Sequence, residues 1–102
     1  MANEPKVTVA FLVKFKTKLS MEELQQRYRE RMPDFQALTG LVQKLYVEDP
    51  ATGEVGGLYL WDTPESLQDY LASSLRETIG AVYEVDGPPT VQRLNVLDML
   101  RE

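Results

Sequence analysis

The 102-residue sequence has no cysteine and no histidine. The first absence excludes disulfides, a thiol nucleophile and every cysteine-based zinc or iron–sulfur site. The second removes the commonest general base near neutral pH, the commonest metal ligand and the usual haem ligand. A carboxylate-only metal site stays conceivable, but no EF-hand spacing or acidic cluster marks one, so neither metal nor cofactor is expected. No apolar run approaches the length of a membrane span. The first residues are polar and include Pro5, unlike a secretory leader. Positive charge is also short: 11 Lys and Arg against 16 Asp and Glu leave a net charge of −5. Such a surface has no overall attraction for nucleic acid or anionic membrane. The profile is that of a cytoplasmic soluble protein.

What is present is an ordinary globular mixture, 43% hydrophobic and 26% charged, at a length that suits one domain over residues 1–102. Residues 6–15, KVTVAFLVKF, alternate and place Val7, Val9, Phe11, Val13 and Phe15 on one face. Ala10 and Leu12 make the other face apolar too, which predicts a central strand covered on both sides. Lys6, Lys14, Lys16 and Lys18 read as a solvated strand edge.

Ser20-Met21-Glu22-Glu23 is a capping box that opens a helix carrying Leu24, Tyr28 and Met32 at helical spacing. Pro33 is expected to break or restart it, and Gly40 to mark the exit. Residues 41–48 and 55–61 read as two strands joined by the Asp49-Pro50-Ala51-Thr52-Gly53-Glu54 loop. Thr63 and Pro64 suit the N-cap and first position of a second helix, with Leu67, Tyr70, Leu71 and Leu75 inward. Residues 76–89 read as a short helical or irregular stretch punctuated by Gly80 and Gly87-Pro88-Pro89, and residues 90–98 as the last strand.

The order strand, helix, strand, strand, helix, strand predicts a ferredoxin-like α+β fold, an antiparallel four-stranded sheet with helices on one face. Pairing Glu48 near Val55 puts Val42, Lys44, Tyr46, Tyr59 and Trp61 on one face, and Leu41, Leu45, Val47, Leu58 and Leu60 on the other. Two helices cover only one face, so the second apolar face calls for a partner. A homodimer through the sheet face, giving a dimeric α/β barrel, is the simplest cover.

The run Gly40-Leu41-Val42-Gln43-Lys44-Leu45-Tyr46-Val47-Glu48, followed after the loop by Gly56-Gly57-Leu58-Tyr59-Leu60-Trp61, resembles the YdhR-like monooxygenase family. That family belongs to the dimeric α/β-barrel superfamily and has antibiotic-biosynthesis monooxygenases among its relatives. The resemblance implies a homodimer with a pocket between sheet and helices. It also implies oxygenation of an aromatic or polycyclic substrate by dioxygen without metal or flavin. Many superfamily members use a histidine, including haem-degrading and lactone-isomerising ones, and this chain has none.

Cofactor-free oxygenation needs a flat apolar site, a group that removes a proton and groups that stabilise an oxyanion. Lys44, Tyr59 and Trp61 are the candidate catalytic residues. A desolvated lysine falls toward a useful base range, while the aromatic rings offer flat walls and a hydroxyl. Tyr46, Arg31, Arg76 and Asn95 are candidate substrate-binding groups. Each has a plainer use. Strand aromatics fill cores and interfaces, a mid-strand lysine extends its stem over apolar surface, and Arg31, Arg76 and Asn95 suit surface or capping positions. Tyr28 and Tyr70 read as core, and Gly56 and Gly57 as backbone requirements. Three uses therefore stay open: a monooxygenase, a non-catalytic dimer that binds a small ligand, and a dimer whose pockets are filled by its own side chains.

Overall fold

The computed structural model describes residues 7–101. Lys6 lies outside them. Alternating apolar residues build β1 (Val9–Thr17), and Val9, Phe11 and Phe15 turn their side chains into the interior. Ser20 caps α1 (Met21–Gln36): its hydroxyl accepts from the Glu23 amide, and the Glu23 carboxylate accepts in return from the Ser20 amide. Pro33 does not break this helix. Pro33 and Arg29 are both exposed, so water can replace the amide that proline lacks.

Gly40 holds φ +84, and an added Cβ there would fall on Ser66. Its carbonyl accepts from the Asp62 amide at 2.9 Å, which sets the start of β2 (Leu41–Glu48) against the end of β3 (Val55–Trp61). Between them Asp49 and Glu54 close the hairpin, and Glu48 faces Val55 as the sequence predicts. Thr63 caps α2 (Pro64–Leu71), which buries Leu67 and Tyr70. Two short helices follow, α3 (Ser74–Glu77) and α4 (Ile79–Val82).

β4 (Val85–Asn95) differs from the expected 90–98. It begins five residues earlier and runs through Gly87-Pro88-Pro89. An edge strand tolerates missing amides, and the register shift between Lys14 and Lys16 absorbs the extra residues. Residues 96–98 lie beyond it, with Leu97 exposed.

The sheet order is β2-β3-β1-β4 with every pairing antiparallel, and the arrangement is the ferredoxin-like βαββαβ fold. Against it pack two core clusters, one around Trp61, Leu67, Tyr59 and Tyr70, the other around Phe15, Leu24, Val55 and Tyr83. Val13 and Ile79 touch both.

The predicted faces of β2 need one correction. A register shift between Leu41 and Gln43 puts Leu41 opposite Trp61 and against its core cluster, while Val42 is exposed. Lys44, Tyr46, Tyr59 and Trp61 do share the helix-covered face. The other face carries Leu12, Leu45, Leu58, Leu60 and Leu94, and no element among the described residues covers it. Lys14 and Lys16 also stand on that face. They guard no edge, because β1 lies between β3 and β4. Lys14 pairs with Asp49 at 2.9 Å, which raises the lysine pKa and lowers that of the carboxyl group. No helix among the described residues is long and apolar enough to cross a membrane.

Candidate active site

A cavity of about 300 Å³ opens between α1 and the sheet. Its floor is Val13 and Phe15 of β1, Val55, Gly57 and Tyr59 of β3, and Lys44 and Tyr46 of β2. Its roof is Met21, Leu24 and Tyr28 of α1, with Ile79 and Tyr83 closing the far side. The glycine makes the space: a Cβ on Gly57 would stand 3.0 Å from the Tyr59 ring and 3.1 Å from Lys44 Cε. Gly56 serves the backbone, since a Cβ there would strike the Val13 carbonyl oxygen.

Lys44 Nζ lies 3.5 Å from the centroid of Phe35 and 4.6 Å from those of Tyr46 and Tyr59. Among the described residues no carboxylate pairs with it. Burial, helped by the positive charge of Arg31, lowers its pKa from 10.5 to about 7. The ring faces attract the ammonium and oppose that fall. Near neutral pH this amine can therefore exist both with and without its proton.

Tyr46 stacks on Tyr28, with centroids 4.1 Å apart and planes 13° from parallel. Tyr70 donates to the Tyr59 hydroxyl at 3.3 Å, which leaves the Tyr59 proton free for another acceptor. Burial pushes the Tyr59 phenol well above its ordinary range and that of Tyr83 to about 12, so both stay neutral donors. The Tyr83 hydroxyl is buried without a hydrogen-bond partner.

Of the residues singled out from sequence, Lys44, Tyr46 and Tyr59 converge on this cavity. Trp61 does not reach it: fully buried, it packs against Tyr70 at 5.4 Å and belongs to the core beneath α2. Arg31 lies in the helical layer and ties α1 to α3 and its C-terminal cap, with Nη2 donating to the Leu75 carbonyl at 2.8 Å and to Thr78 Oγ1 at 2.9 Å. Arg76 is exposed on α3 and lines a separate cavity. Asn95 is exposed at the end of β4, opposite Val9, away from Lys44. Sequence reasoning assigned Tyr28 to the core and gave Tyr83 no role. Helical spacing shows that Tyr28 points inward but not that a cavity lies beneath it. Tyr83 falls in the stretch with no readable period. Among the described residues no group of three or more acidic side chains could hold a metal ion.

The family model described as "Putative mono-oxygenase ydhR" matches residues 11–86. The chain belongs to the ydhR family. This match spans both strands of the hairpin, the capped helix and the whole cavity, and it agrees with the Gly40–Trp61 pattern read from the sequence. Among the curated proteins none matches. Solved structures with the same fold include a protein of unknown function, NE2512 from Nitrosomonas europaea, at 14% identity and TM-score 0.78, covering 94% of this chain and 95% of that one. A Caulobacter crescentus protein titled a putative antibiotic biosynthesis monooxygenase aligns at 12% identity and TM-score 0.74, covering 91% and 92%. SnoaB, a cofactor-independent oxygenase from Streptomyces nogalater, aligns at 12% identity and TM-score 0.72, covering 94% and 99%. These likenesses establish the fold.

Proposed function

We propose that this ydhR-family protein is a cofactor-independent monooxygenase acting on a small aromatic or polycyclic carbon acid, with Lys44 as its base. The carrying observation is an unpaired lysine held among three aromatic faces at the wall of an apolar cavity. Family membership and the fold shared with an oxygenase titled cofactor-independent support the reading.

The geometry supports this course of reaction. A flat substrate lies in the cavity beside Tyr28 and Tyr46. Lys44 Nζ takes a proton from an acidic CH2 group, and the ring system spreads the negative charge. The Tyr59 hydroxyl donates to the substrate oxygen on which that charge collects. The carbanion passes one electron to dioxygen, and the two radicals combine in a new C–O bond. The peroxide takes the proton back from Lys44 and loses water to leave a ketone. One oxygen atom enters the product and the other leaves as water, so no external reductant is needed. Tyr59 and Lys44 are the catalytic residues in this reading, and Tyr46 with Tyr28 holds the substrate.

A homodimer through the open sheet face belongs to the same proposal, because Leu12, Leu45, Leu58, Leu60 and Leu94 otherwise face water. The test of the activity is oxygen uptake with electron-rich aromatic carbon acids under heavy-isotope dioxygen. Uptake matched to a ketone bearing one labelled oxygen supports the reading. A ligand that binds tightly and is recovered unchanged after incubation in air overturns it in favour of a non-catalytic binding protein.

A further inference from the structure

The floor beneath Lys44 does not end with the first cavity. A second, of about 250 Å³, lies on the same sheet face toward β4 and is lined by Phe11, Tyr70, Arg76, Gly80, Pro89 and Val91 among others. The two cavities have Val13, Phe15, Tyr59 and Ile79 in common. Val13 and Phe15 come from β1 and Tyr59 from β3, so three of the four are floor. Only Ile79 descends from the helical layer. It packs against both core clusters, which places its side chain where the two halves meet. Its support is slight: α4 is four residues long, and no side chain caps its start. Gly80 beside it would meet nothing within 4 Å if it carried a Cβ.

Size points the same way. Small-molecule sites usually enclose about 300–1,000 Å³. The first cavity stands at the bottom of that range and the second below it, whereas the two joined fall well inside it.

We propose that the two cavities are halves of one elongated site for a flat multi-ring phenolic or ketonic substrate, and that Ile79 sets the length of molecule the site accepts. The aromatic character of the ligand rests on the oxygenase reading above; the division by Ile79 does not. Polar groups stand ready at the far end. Arg76 has no carboxylate partner among the described residues, and its charge works against the rise that burial imposes on the Tyr70 pKa. A ring oxygen there meets a guanidinium and the Tyr59–Tyr70 hydroxyl pair. Glu77 lines the same mouth, so a neutral or weakly acidic oxygen suits it better than a multiply charged group.

The test is calorimetric titration of phenol, naphthol and hydroxyanthracene into wild type, Ile79→Trp, Ile79→Ala and Val91→Trp. On this proposal phenol occupies one half, whereas the long axis of hydroxyanthracene carries it across the neck. Filling the neck with Ile79→Trp should weaken hydroxyanthracene by about tenfold or more and leave phenol within about twofold, as expected for a pocket altered by a few carbon atoms. Ile79→Ala should strengthen hydroxyanthracene. Val91 is 55% exposed, so Val91→Trp narrows the far half without disturbing the core and covers the case in which Ile79→Trp fails to fold. Equal effects on all three ligands, or none, overturn the proposal. So does a wild type that binds phenol and naphthol but rejects hydroxyanthracene, an outcome that leaves the oxygenase reading standing. A wild type that binds none of the three also overturns the proposal, whereas the oxygenase reading falls only if the labelled-oxygen uptake test fails as well.

Discussion

Replacing Lys44 with methionine should stabilise this protein while abolishing its chemistry. Methionine keeps the length and the apolar stem but removes the charge. In the unfolded chain the amine has its ordinary pKa of 10.5, and in the fold about 7. At ~1.4 kcal/mol per pH unit of displacement, holding a proton on the buried amine costs the fold on the order of 4 kcal/mol near neutral pH. Attraction to the three ring faces, worth ~0.5–2 kcal/mol, returns part of this, so we expect Lys44→Met to gain about 2–3 kcal/mol at pH 6. The sign is set by proton counting. Between about pH 7 and 10.5 the unfolded state binds more protons at this site than the folded state, so wild-type stability rises with pH there. The advantage of Lys44→Met is therefore full below about pH 7 and mostly gone by about pH 9.5. Thermal melts at the two pH values read it directly: for about 100 residues, 1 kcal/mol moves Tm by roughly 4–8 °C. A variant that melts at or below wild type at pH 6, or one whose advantage does not shrink as pH rises, would refute the account of Lys44 as a desolvated amine.

The turnover of wild type should rise with pH through about 7 and then level off, because the neutral amine is the base; a flat profile between about pH 5.5 and 9 would remove Lys44 from that role. Leu58→Glu on the open face should halve the mass seen by light scattering if that face joins two copies, and a wild type that is already monomeric at all concentrations would remove the dimer. Gly56→Ala should destabilise by about 3 kcal/mol or more, since its methyl group meets the Val13 carbonyl oxygen. Gly80→Ala, which meets nothing within 4 Å, is the control and should change the denaturation midpoint little.

Legibility in the sequence followed local rules closely. The alternation of β1, the Ser20 capping box, the Thr63-Pro64 helix start and the Glu48–Val55 register each depend on neighbours a few residues apart, and each stands as read. Features set by distant contacts did not show. The β2 register shift that exchanges Leu41 and Val42 is imposed by β3, and nothing within β2 announces it. Gly87-Pro88-Pro89 signals a chain break, but β4 is an edge strand and can carry prolines through it. In the site, strand parity correctly grouped Lys44, Tyr46, Tyr59 and Trp61 on one face. Parity does not say what lies above each position. Leu67 and Tyr70 of α2 close over Trp61, whereas Gly57 leaves room beside Tyr59 and Lys44.

The two prolines in β4 have a consequence for how copies of this molecule can meet. β4 is one rim of the sheet, and a rim normally offers a ladder of amides and carbonyls to which a further strand can attach. Pro88 and Pro89 carry no amide hydrogen, and because successive amides of a strand point to opposite edges, one of these losses falls on the open rim; Gly87, at φ +80, bends the chain between them and Asp86. A fifth strand laid along this stretch finds a gap in its ladder, so side-by-side growth into a continuous ribbon stalls there. If copies pair through the broad leucine-rich surface as proposed, the blunted rim keeps that pairing closed at two molecules instead of opening into a fibre.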